Sequence, residues 1–510
     1  MKAHLMHRDR DFELKKEILK TEWALIQDLE LETIFEAMGK GDAVLMDVAR
    51  NAFLSMLYEP SEIRYRQEIL KDCIEHPDVI RQMYAIASES VRGERKVYFG
   101  LFSDYPGSVL SRAVEVLTLF ASSLAKLRRV ADEHKDVFAS EGIGTLLEMI
   151  RRELDDDYLA EVGSHLAELR FRRGVLIGAT LGESNTGKDF VLHRQPARRK
   201  KLIGRALSLN RHQFTFTLGD RDESGATALS ELKDRSINKV ANAAAVSADH
   251  ILSFFNMLGR ELAFYVGCLN LHDRLVRDGR QVCFPVPVGP GKHIHSAAGL
   301  YDIPLALKLK GDVTDNDLAA DGKELAIITG ANRGGKSTFL RSVGTAQLMM
   351  QCGMFAPARS FSADVCSCIY THFTREEDVA MHSGRLEEEL GRMRDIVDVL
   401  KHDSLMLLNE SFAGTNEREG SEIARQVISA LLERKVRIFF VTHFFELAEG
   451  FFRKGRENVL FLRAERLPDG GRTFRITDGA PLPTSHGEDL YKRIFADRGT
   501  PPSGNNDRPS

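Results

Sequence analysis

The sequence of 510 residues predicts a multidomain protein in which an α-helical region, carrying a small β-rich insert, precedes an α/β domain. Three patterns predict this order. Apolar residues recur at helical spacing from about residue 12 to 169 and again from about residue 230 to 277. Short strand-like runs separated by glycine and asparagine lie between these stretches. After Pro285, Pro287 and Pro290, strand-like runs alternate with helix-like runs, which is typical of an α/β domain.

The helical stretches are predicted from their apolar stripes. Ile63, Ile69, Leu70 and Cys73 would share one face of a helix, and residues 109–137 and 143–169 show similar amphipathic patterns. Such stripes indicate core packing. The predicted parts are residues 1–169 (helical), 170–221 (β-rich insert), 222–280 (returning helix), 281–496 (α/β domain) and 497–510, a Pro/Gly/Asn-rich tail that we expect to be disordered.

The insert is predicted from short runs at residues 174–182, 189–194 and 212–218, and its charge is unusual. Between residues 170 and 221 there are twelve lysines and arginines but only three acidic residues, although the whole chain has a net charge of −4. Seven of these basic residues lie between Arg194 and Arg211. A mildly acidic protein can therefore carry one strongly basic patch.

The composition is that of an ordinary globular protein, with 43% hydrophobic and 28% charged residues. Six scattered cysteines are typical of a reduced, cytoplasmic protein. The N-terminus has no apolar core of a signal peptide, and no window holds eighteen consecutive apolar residues. We therefore expect a cytoplasmic protein without a membrane span.

A phosphate-binding loop is predicted after the apolar run Leu325–Thr329. The pattern G-x-x-x-x-G-K-[ST] lies between this predicted strand and a helix-like segment, which is the setting that the motif requires. Backbone N–H groups of such a loop surround phosphates, its lysine reaches the outer phosphates, and its serine can bind Mg²⁺. A chance match in a glycine-rich turn is the alternative. The candidate ATP-binding residues are Gly330, Ala331, Asn332, Arg333, Gly334, Gly335, Lys336, Ser337 and Thr338.

Two further apolar runs end in polar residues that suit phosphate chemistry. The run from Ser404 ends at Asn409 and Glu410, where a carboxylate could activate water and Asn409 could offer Mg²⁺ a neutral carbonyl oxygen. In ATPases with such loops this strand is expected beside the loop. A third run ends at His443, whose imidazole could sense the γ-phosphate. A polar strand end and a structural histidine are the alternatives.

These residues together resemble the MutS family of DNA mismatch repair ATPases. The matching segments are residues 329–341, 407–420, 440–447 and 484–495. The resemblance implies an ABC-type ATPase domain, with a helical core, lever arms and a clamp upstream, and a homodimer that encloses each ATP between two subunits. It implies that Glu410 is the general base and His443 the γ-phosphate sensor, that Ser337 and Asn409 bind Mg²⁺, and that Ser383 contacts ATP from the other subunit. The segment from Leu386 to Leu400 could equally be a charged surface helix.

The sequence departs from the family pattern at three places. Asn409 replaces an aspartate, which predicts slow hydrolysis. No aromatic residue for stacking on adenine is evident, since Val313 and Tyr301 are poor substitutes. The N-terminal mismatch-reading domain is expected to be absent.

The resemblance implies an ATP-driven clamp on mismatched or branched double-stranded DNA, with the basic insert as its contact to phosphates. Few aromatic residues there favour a duplex over single strands. A solvated loop is the alternative for the insert. For the whole chain, the alternative is an ATP-binding switch scaffold with little hydrolysis. A soluble ABC transporter subunit is disfavoured, because the sequence Leu-Ser-Gly-Gly-Gln is missing. The candidate DNA-binding residues are Arg194, Arg198, Arg199, Lys200, Lys201 and Arg205.

Overall fold

The structure is a computed structural model, and it describes residues 1–15, 17–97, 105–172, 174–183, 186–194, 215–219, 221–309, 311–375, 384–467 and 471–482. Eight helices come first: α1 (Lys20–Asp28), α2 (Leu31–Gly39), α3 (Ala43–Leu54), α4 (Pro60–Glu75), α5 (Pro77–Lys96), α6 (Pro106–Glu133), α7 (Glu141–Glu153) and α8 (Asp156–Leu169). Proline occupies the first turn of α4, α5 and α6, where the missing N–H is tolerated. The side chains of Asp42 and Asp155 cap α3 and α8 by accepting backbone N–H groups.

A β-hairpin and one long helix follow these eight helices. They are β1 (Leu176–Leu181), β2 (Gly187–His193) and α9 (Glu223–Arg277), which has 55 residues. The third strand predicted for the insert is wrong where the structure describes it. Residues 215–218 form no strand and pair with no other strand that the structure describes, and Phe216 is 86% exposed, so its alternating pattern has no buried face to pack there.

The remaining chain alternates strands and helices. The elements are β3 (Val286–Val288), β4 (His295–Leu300), α10 (Ile303–Lys308), β5 (Asn316–Ala319), β6 (Leu325–Thr329), α11 (Lys336–Gln351), β7 (Ser360–Asp364), β8 (Ile369–Phe373), α12 (Arg385–Asp398), β9 (Leu405–Asn409), α13 (Glu417–Glu433), β10 (Arg437–Val441), α14 (Phe445–Arg453), β11 (Val459–Arg466) and β12 (Arg472–Asp478). The fold is therefore multidomain and largely helical, with mixed sheets.

The chain divides into two compact units. We call residues 1–5 and 78–262 the helical unit, and residues 6–77 and 263–510 the α/β unit. Residues 6–77 thus pack with the α/β residues, whereas the sequence analysis placed them with the helical region. Ion pairs between residues that are more than 270 positions apart in the sequence connect this N-terminal segment to the α/β residues. Glu30, between α1 and α2, pairs with Arg341 of α11 and with Lys308.

The helical unit is held together around α6, which packs against α7 and α8. The α6 helix buries a long apolar stripe that includes Leu110, Val114, Phe120 and Leu127. By length and composition alone it is also apolar enough to span a membrane, a test that the core helices of globular proteins pass as well. The sequence criterion of eighteen consecutive apolar residues does not select α6, because charged residues interrupt its apolar run.

Two sheets form the centre of the α/β unit. The larger has six strands in the order β12-β11-β6-β10-β9-β8, in which all neighbours are parallel except β11 and β12. The smaller has the order β3-β7-β4-β5. Buried side chains such as Ile327, Met406, Leu408, Ile438 and Phe440 form the core beside the larger sheet. Parallel strands place their carboxyl ends, and the loops that follow them, at one edge.

The six cysteines are all free thiols. Burial raises the pKa of Cys73, Cys268, Cys283, Cys352 and Cys366. Among the described residues no group of three or more His, Cys, Asp or Glu side chains could hold a metal ion.

Candidate nucleotide-binding and hydrolysis site

The predicted site residues meet at the carboxyl edge of the larger sheet. The strand register aligns Ile328 of β6 with Val441 of β10, and Val441 with Asn409 of β9. Gly330, Glu410 and His443 each come one or two residues after these aligned positions. The three residues therefore lie at the same edge of the sheet. In the sheet β10 lies between β6 and β9, but the end of β9 still lies beside the loop, because the Ser337 hydroxyl contacts Asn409 at 2.8 Å.

The loop between β6 and α11 has a backbone that suits glycine. Gly330 and Gly335 have φ angles of 119° and 90°, in the left-handed region. A Cβ atom at Gly330 would approach the backbone nitrogen of Ala464 to 2.9 Å, and one at Gly334 would approach the carbonyl oxygen of Ala331 to 2.9 Å. Side chains at these two positions would therefore collide with β11 or with the loop itself, so the loop requires glycine there.

Lys336 opens α11 and is buried, with only 4% of the residue exposed. Its Nζ donates to the carbonyl oxygens of Gly330 and Ala331, at 2.9 and 3.0 Å. Burial lowers the pKa of this amine, and the nearby Glu410 carboxylate acts in the opposite direction. These two partners are neutral carbonyls, so an incoming phosphate would supply the negative charge that a buried ammonium requires.

Ser337 reaches across to the end of β9. Its hydroxyl donates to the Oδ1 atom of Asn409 over 2.8 Å. The two predicted Mg²⁺ ligands are thus adjacent even though β10 separates their strands. Both offer neutral oxygen atoms, and hard cations such as Mg²⁺ prefer charged carboxylates.

Glu410 directly follows β9 and has a φ of 52°. Its backbone N–H donates to the carbonyl oxygen of Val441 at 2.8 Å, and its own carbonyl accepts from the hydroxyl of Thr374 at 2.6 Å. The backbone is therefore held from both neighbouring strands. Glu410 lines the same cavity as Lys336 and Ser337.

His443 follows β10 and is exposed. Its ring lies 4.7 Å from that of Phe444, edge to face. His443 is not among the described residues that line the cavity. Its role as a γ-phosphate sensor stays a prediction.

A cavity of about 430 Å³ extends from the loop toward α10 and β12. Tyr301, Val313 and Phe474 line it together with the loop residues. Phe474 is 49% exposed, and its backbone lies against Gly335. Sequence analysis missed this aromatic residue because no motif surrounds it, and only the sheet order brings β12 close to the loop.

Comparisons with known proteins assign this arrangement to a family. The family model described as MutS2 N-terminal domain matches residues 59–278, and the one described as MutS domain V matches residues 326–469. The DNA mismatch repair protein MutS of Thermotoga neapolitana is 33% identical over 182 residues, which are 34% of this chain and 22% of that protein. The chain belongs to the MutS family.

Other relatives in the MutS family match similar lengths. The DNA mismatch repair protein MutS of Clostridium botulinum (strain Alaska E43) is 34% identical over 179 residues, covering 32% of this chain and 19% of the relative. MutS protein homolog 4 of Mus musculus is 33% identical over 149 residues, covering 29% and 16%. The chain thus spans about a fifth of the length of the curated relatives that it matches. The MutS domain V match includes Lys336, Asn409, Glu410 and His443, but not Phe474.

Several predicted residues of this MutS-family protein lie outside the described residues. These are Ser383, Arg198, Arg199, Lys200, Lys201, Arg205 and the segment 484–495. Arg194 is described, and its guanidinium pairs with the Glu168 carboxylate at 2.7 Å. A DNA phosphate would have to compete with that carboxylate for Arg194.

Proposed function

We propose that the protein is an ATP-hydrolysing, DNA-binding protein of the MutS type, in which ATP drives a clamp on mismatched or branched duplex DNA. One observation carries the ATPase half of this proposal. One cavity is lined by Gly334 and Gly335 of the loop, by Lys336 and Ser337, and by Glu410. The cavity thus combines groups for binding a triphosphate with a base for activating water.

The residues present fit ATP and Mg²⁺. A cavity of about 430 Å³ adjoins the loop, and the buried Lys336 ammonium contacts only neutral carbonyl oxygens, to which a phosphate would add negative charge. Ser337 and Asn409 would hold Mg²⁺, which neutralises phosphate charge when bound. Glu410 would orient the attacking water and accept its proton. Lys336 would hold the outer phosphates, and the N-terminus of α11 would add positive potential.

The DNA half of the proposal is supported by charge and by family membership. The basic insert at residues 170–221 would meet duplex phosphates through its lysines and arginines. The relatives are named DNA mismatch repair proteins. Within this proposal two copies of the chain form a homodimer, and Ser383 of each copy contacts the ATP of the other.

Hydrolysis is tested first. We expect Lys336→Ala to abolish ATP binding, and Glu410→Gln to retain binding while lowering turnover by about 10²–10⁴. Lys323→Ala is the matched control, because Lys323 lies at the opposite end of β6 and donates to the Glu457 carbonyl. ATP binding is measured by titration with an ATP analogue, and turnover is measured by phosphate release. Equal ATP binding by the Lys336→Ala and Lys323→Ala variants would contradict the proposal.

DNA binding is tested with homoduplex, mismatched and four-way DNA, with and without ATP, at two salt concentrations. Charge reversal at Arg198, Arg199, Lys200 and Lys201 should weaken binding to all duplexes and flatten the salt dependence. Unchanged duplex binding in this variant would instead indicate a solvated loop.

A second candidate function is an ATP-binding switch that hardly hydrolyses ATP. The observation that favours it is the neutral Ser337–Asn409 pair, since neither side chain gives Mg²⁺ a charged ligand. Asn409→Asp separates the two candidates. If the wild type and Glu410→Gln are equally inert while Asn409→Asp gains turnover, the switch function is supported.

A further inference from the structure

A buried histidine lies behind the candidate general base. His372, on β8, is 0% exposed, and its ring makes polar contacts in two directions. Nδ1 lies 2.8 Å from the hydroxyl of Ser411, and Nε2 lies 2.9 Å from the carbonyl oxygen of Glu389 in α12. The ring therefore bridges α12 and the turn that follows β9.

The turn that His372 contacts is the one that carries Glu410. Glu410 and Phe412 both have left-handed backbones, with φ angles of 52° and 68°, and Ser411 between them is 0% exposed. Such a turn keeps its shape only if its surroundings hold it. The hydroxyl of Ser411 also lies 2.7 Å from the carbonyl oxygen of His372. The ring of Phe412 stacks on the imidazole at 5.4 Å.

The hydrogen-bond donors and acceptors around the imidazole determine which of its nitrogen atoms carries a proton. The Glu389 carbonyl can only accept, so Nε2 must carry a proton there. In the neutral ring Nδ1 is then an acceptor, and it competes for the single proton of the Ser411 hydroxyl with the His372 carbonyl oxygen, to which that hydroxyl donates at 2.7 Å. A buried acceptor without this hydroxyl would lose its partner. Ser411 is thus fixed by the imidazole from one side, directly next to Glu410 in the chain.

We propose that His372 is a positioning residue that holds Glu410 in place through Ser411 and couples it to α12. This inference rests on the proposed function, because it assumes that Glu410 acts in hydrolysis. His372 is buried and is not among the described residues that line the cavity, so we expect it to act through Ser411 rather than by contact with the nucleotide. Its contribution should appear in turnover rather than in binding.

The test compares four variants in ATP hydrolysis and in ATP-analogue binding. His372→Ala should lower kcat at least about tenfold, while KM and analogue affinity change less than about twofold. His295→Ala is the matched control, since His295 is 1% exposed and packs between Phe361 and Phe439. We expect the control to keep the wild-type kcat.

Two conservative variants distinguish the contacts. The amide of His372→Asn can reach the position of Nδ1 and bind Ser411, whereas that of His372→Gln can reach the position of Nε2 and bind Glu389. We expect the asparagine variant to recover more of kcat than the glutamine variant. Both retain a polar buried group, so they remain informative if His372→Ala does not fold.

The proposal also predicts an effect that depends on Glu410. In the Glu410→Gln background, His372→Ala should cause no further loss of residual turnover. Additive loss, or equal kcat in the His372→Ala and His295→Ala variants, would overturn the positioning role and leave the ATPase proposal standing. Absence of hydrolysis in the wild type would overturn both.

Discussion

Four residues around the candidate site have left-handed backbones, although none of them is glycine. They are Arg333, Glu410, Phe412 and Phe474, with φ angles of 60°, 52°, 68° and 59°. Each such conformation costs about 1–3 kcal/mol and persists only where neighbouring contacts enforce it. Three of the four, Arg333, Glu410 and Phe474, line the same cavity, so contacts around this cavity enforce three such conformations.

Phe474 is expected to stack on the base of the bound nucleotide. Phe474→Ala should raise the dissociation constant for ATP about tenfold, since stacking of a base on an aromatic side chain contributes about 1–3 kcal/mol. Inorganic triphosphate should bind equally well to both proteins, because it has no base. Phe452→Ala is the control, since Phe452 is 42% exposed on α14 and meets the ring of Phe461 edge to face. Equal ATP affinities of the Phe474→Ala and Phe452→Ala variants in calorimetric titration would contradict base stacking on Phe474.

His372 should also make stability depend on pH. Burial, and then the charges of Arg392 and Arg375, lower its pKa from 6.5 to about 4, although hydrogen bonding to Glu389 opposes the shift. Between these two values the unfolded chain takes up a proton that the folded protein does not. Folding stability is therefore lost as the pH falls from about 6.5 to 4, by about 3 kcal/mol.

Denaturant unfolding of the wild type and of His372→Asn at several pH values measures this contribution. The variant is expected to lose less stability than the wild type on acidification across this window. His7, whose pKa burial also lowers, is present in both proteins and cancels in the comparison. Parallel stability curves would show that His372 does not contribute.

Helix α11 is held by the ion pairs of Arg341, in its second turn, as well as by the loop at its start. Arg341 binds the buried Asp302 through two contacts, Nε to Oδ2 at 2.7 Å and Nη2 to Oδ1 at 2.9 Å. Asp302 in turn caps α10 by accepting the backbone N–H of Leu305. One carboxylate thus joins the helix that follows the phosphate loop to the helix at the far wall of the cavity.

Removing this arginine should destabilise the α/β unit strongly. Arg341→Met leaves the Asp302 carboxylate buried without its cation, which costs about 3–5 kcal/mol in comparable pairs. Asp302→Asn in the same background should restore part of the loss while keeping the helix cap. Arg453→Met breaks an exposed pair with Glu449 and should cost less than about 1 kcal/mol. Equal shifts of the unfolding midpoint in the two single variants would contradict this account.

The elements that local sequence signals define were predictable, and those that depend on distant contacts were not. The segment from Leu325 to Thr338 combines an apolar run, glycines and a lysine within a few residues, so its strand, loop and helix follow from sequence. Phe474 reaches the cavity only through the order of β12, β11 and β6. The pairing of Glu30 with Arg341 likewise has no local signal.

Division of the chain into two compact units predicts two unfolding transitions. The candidate nucleotide site lies wholly in the α/β unit, so ATP should stabilise only the transition of that unit. At an ATP concentration of about 100 times the dissociation constant, the gain is about 2.7 kcal/mol. Differential scanning calorimetry should show one peak moving with ATP, and no movement in Lys336→Ala. A uniform shift of both transitions would contradict a site confined to one unit.

The burial of the native thiols has a practical consequence for labelling the protein with fluorescent dyes. Five of the six cysteines have a raised pKa, and a thiol that stays protonated reacts slowly with alkylating reagents. A new cysteine on an exposed helix, for example in place of Ser429 on α13 or Thr227 on α9, would therefore react well ahead of those five. Fluorescent dyes could then report distances during nucleotide turnover, with the half-buried Cys368 substituted beforehand.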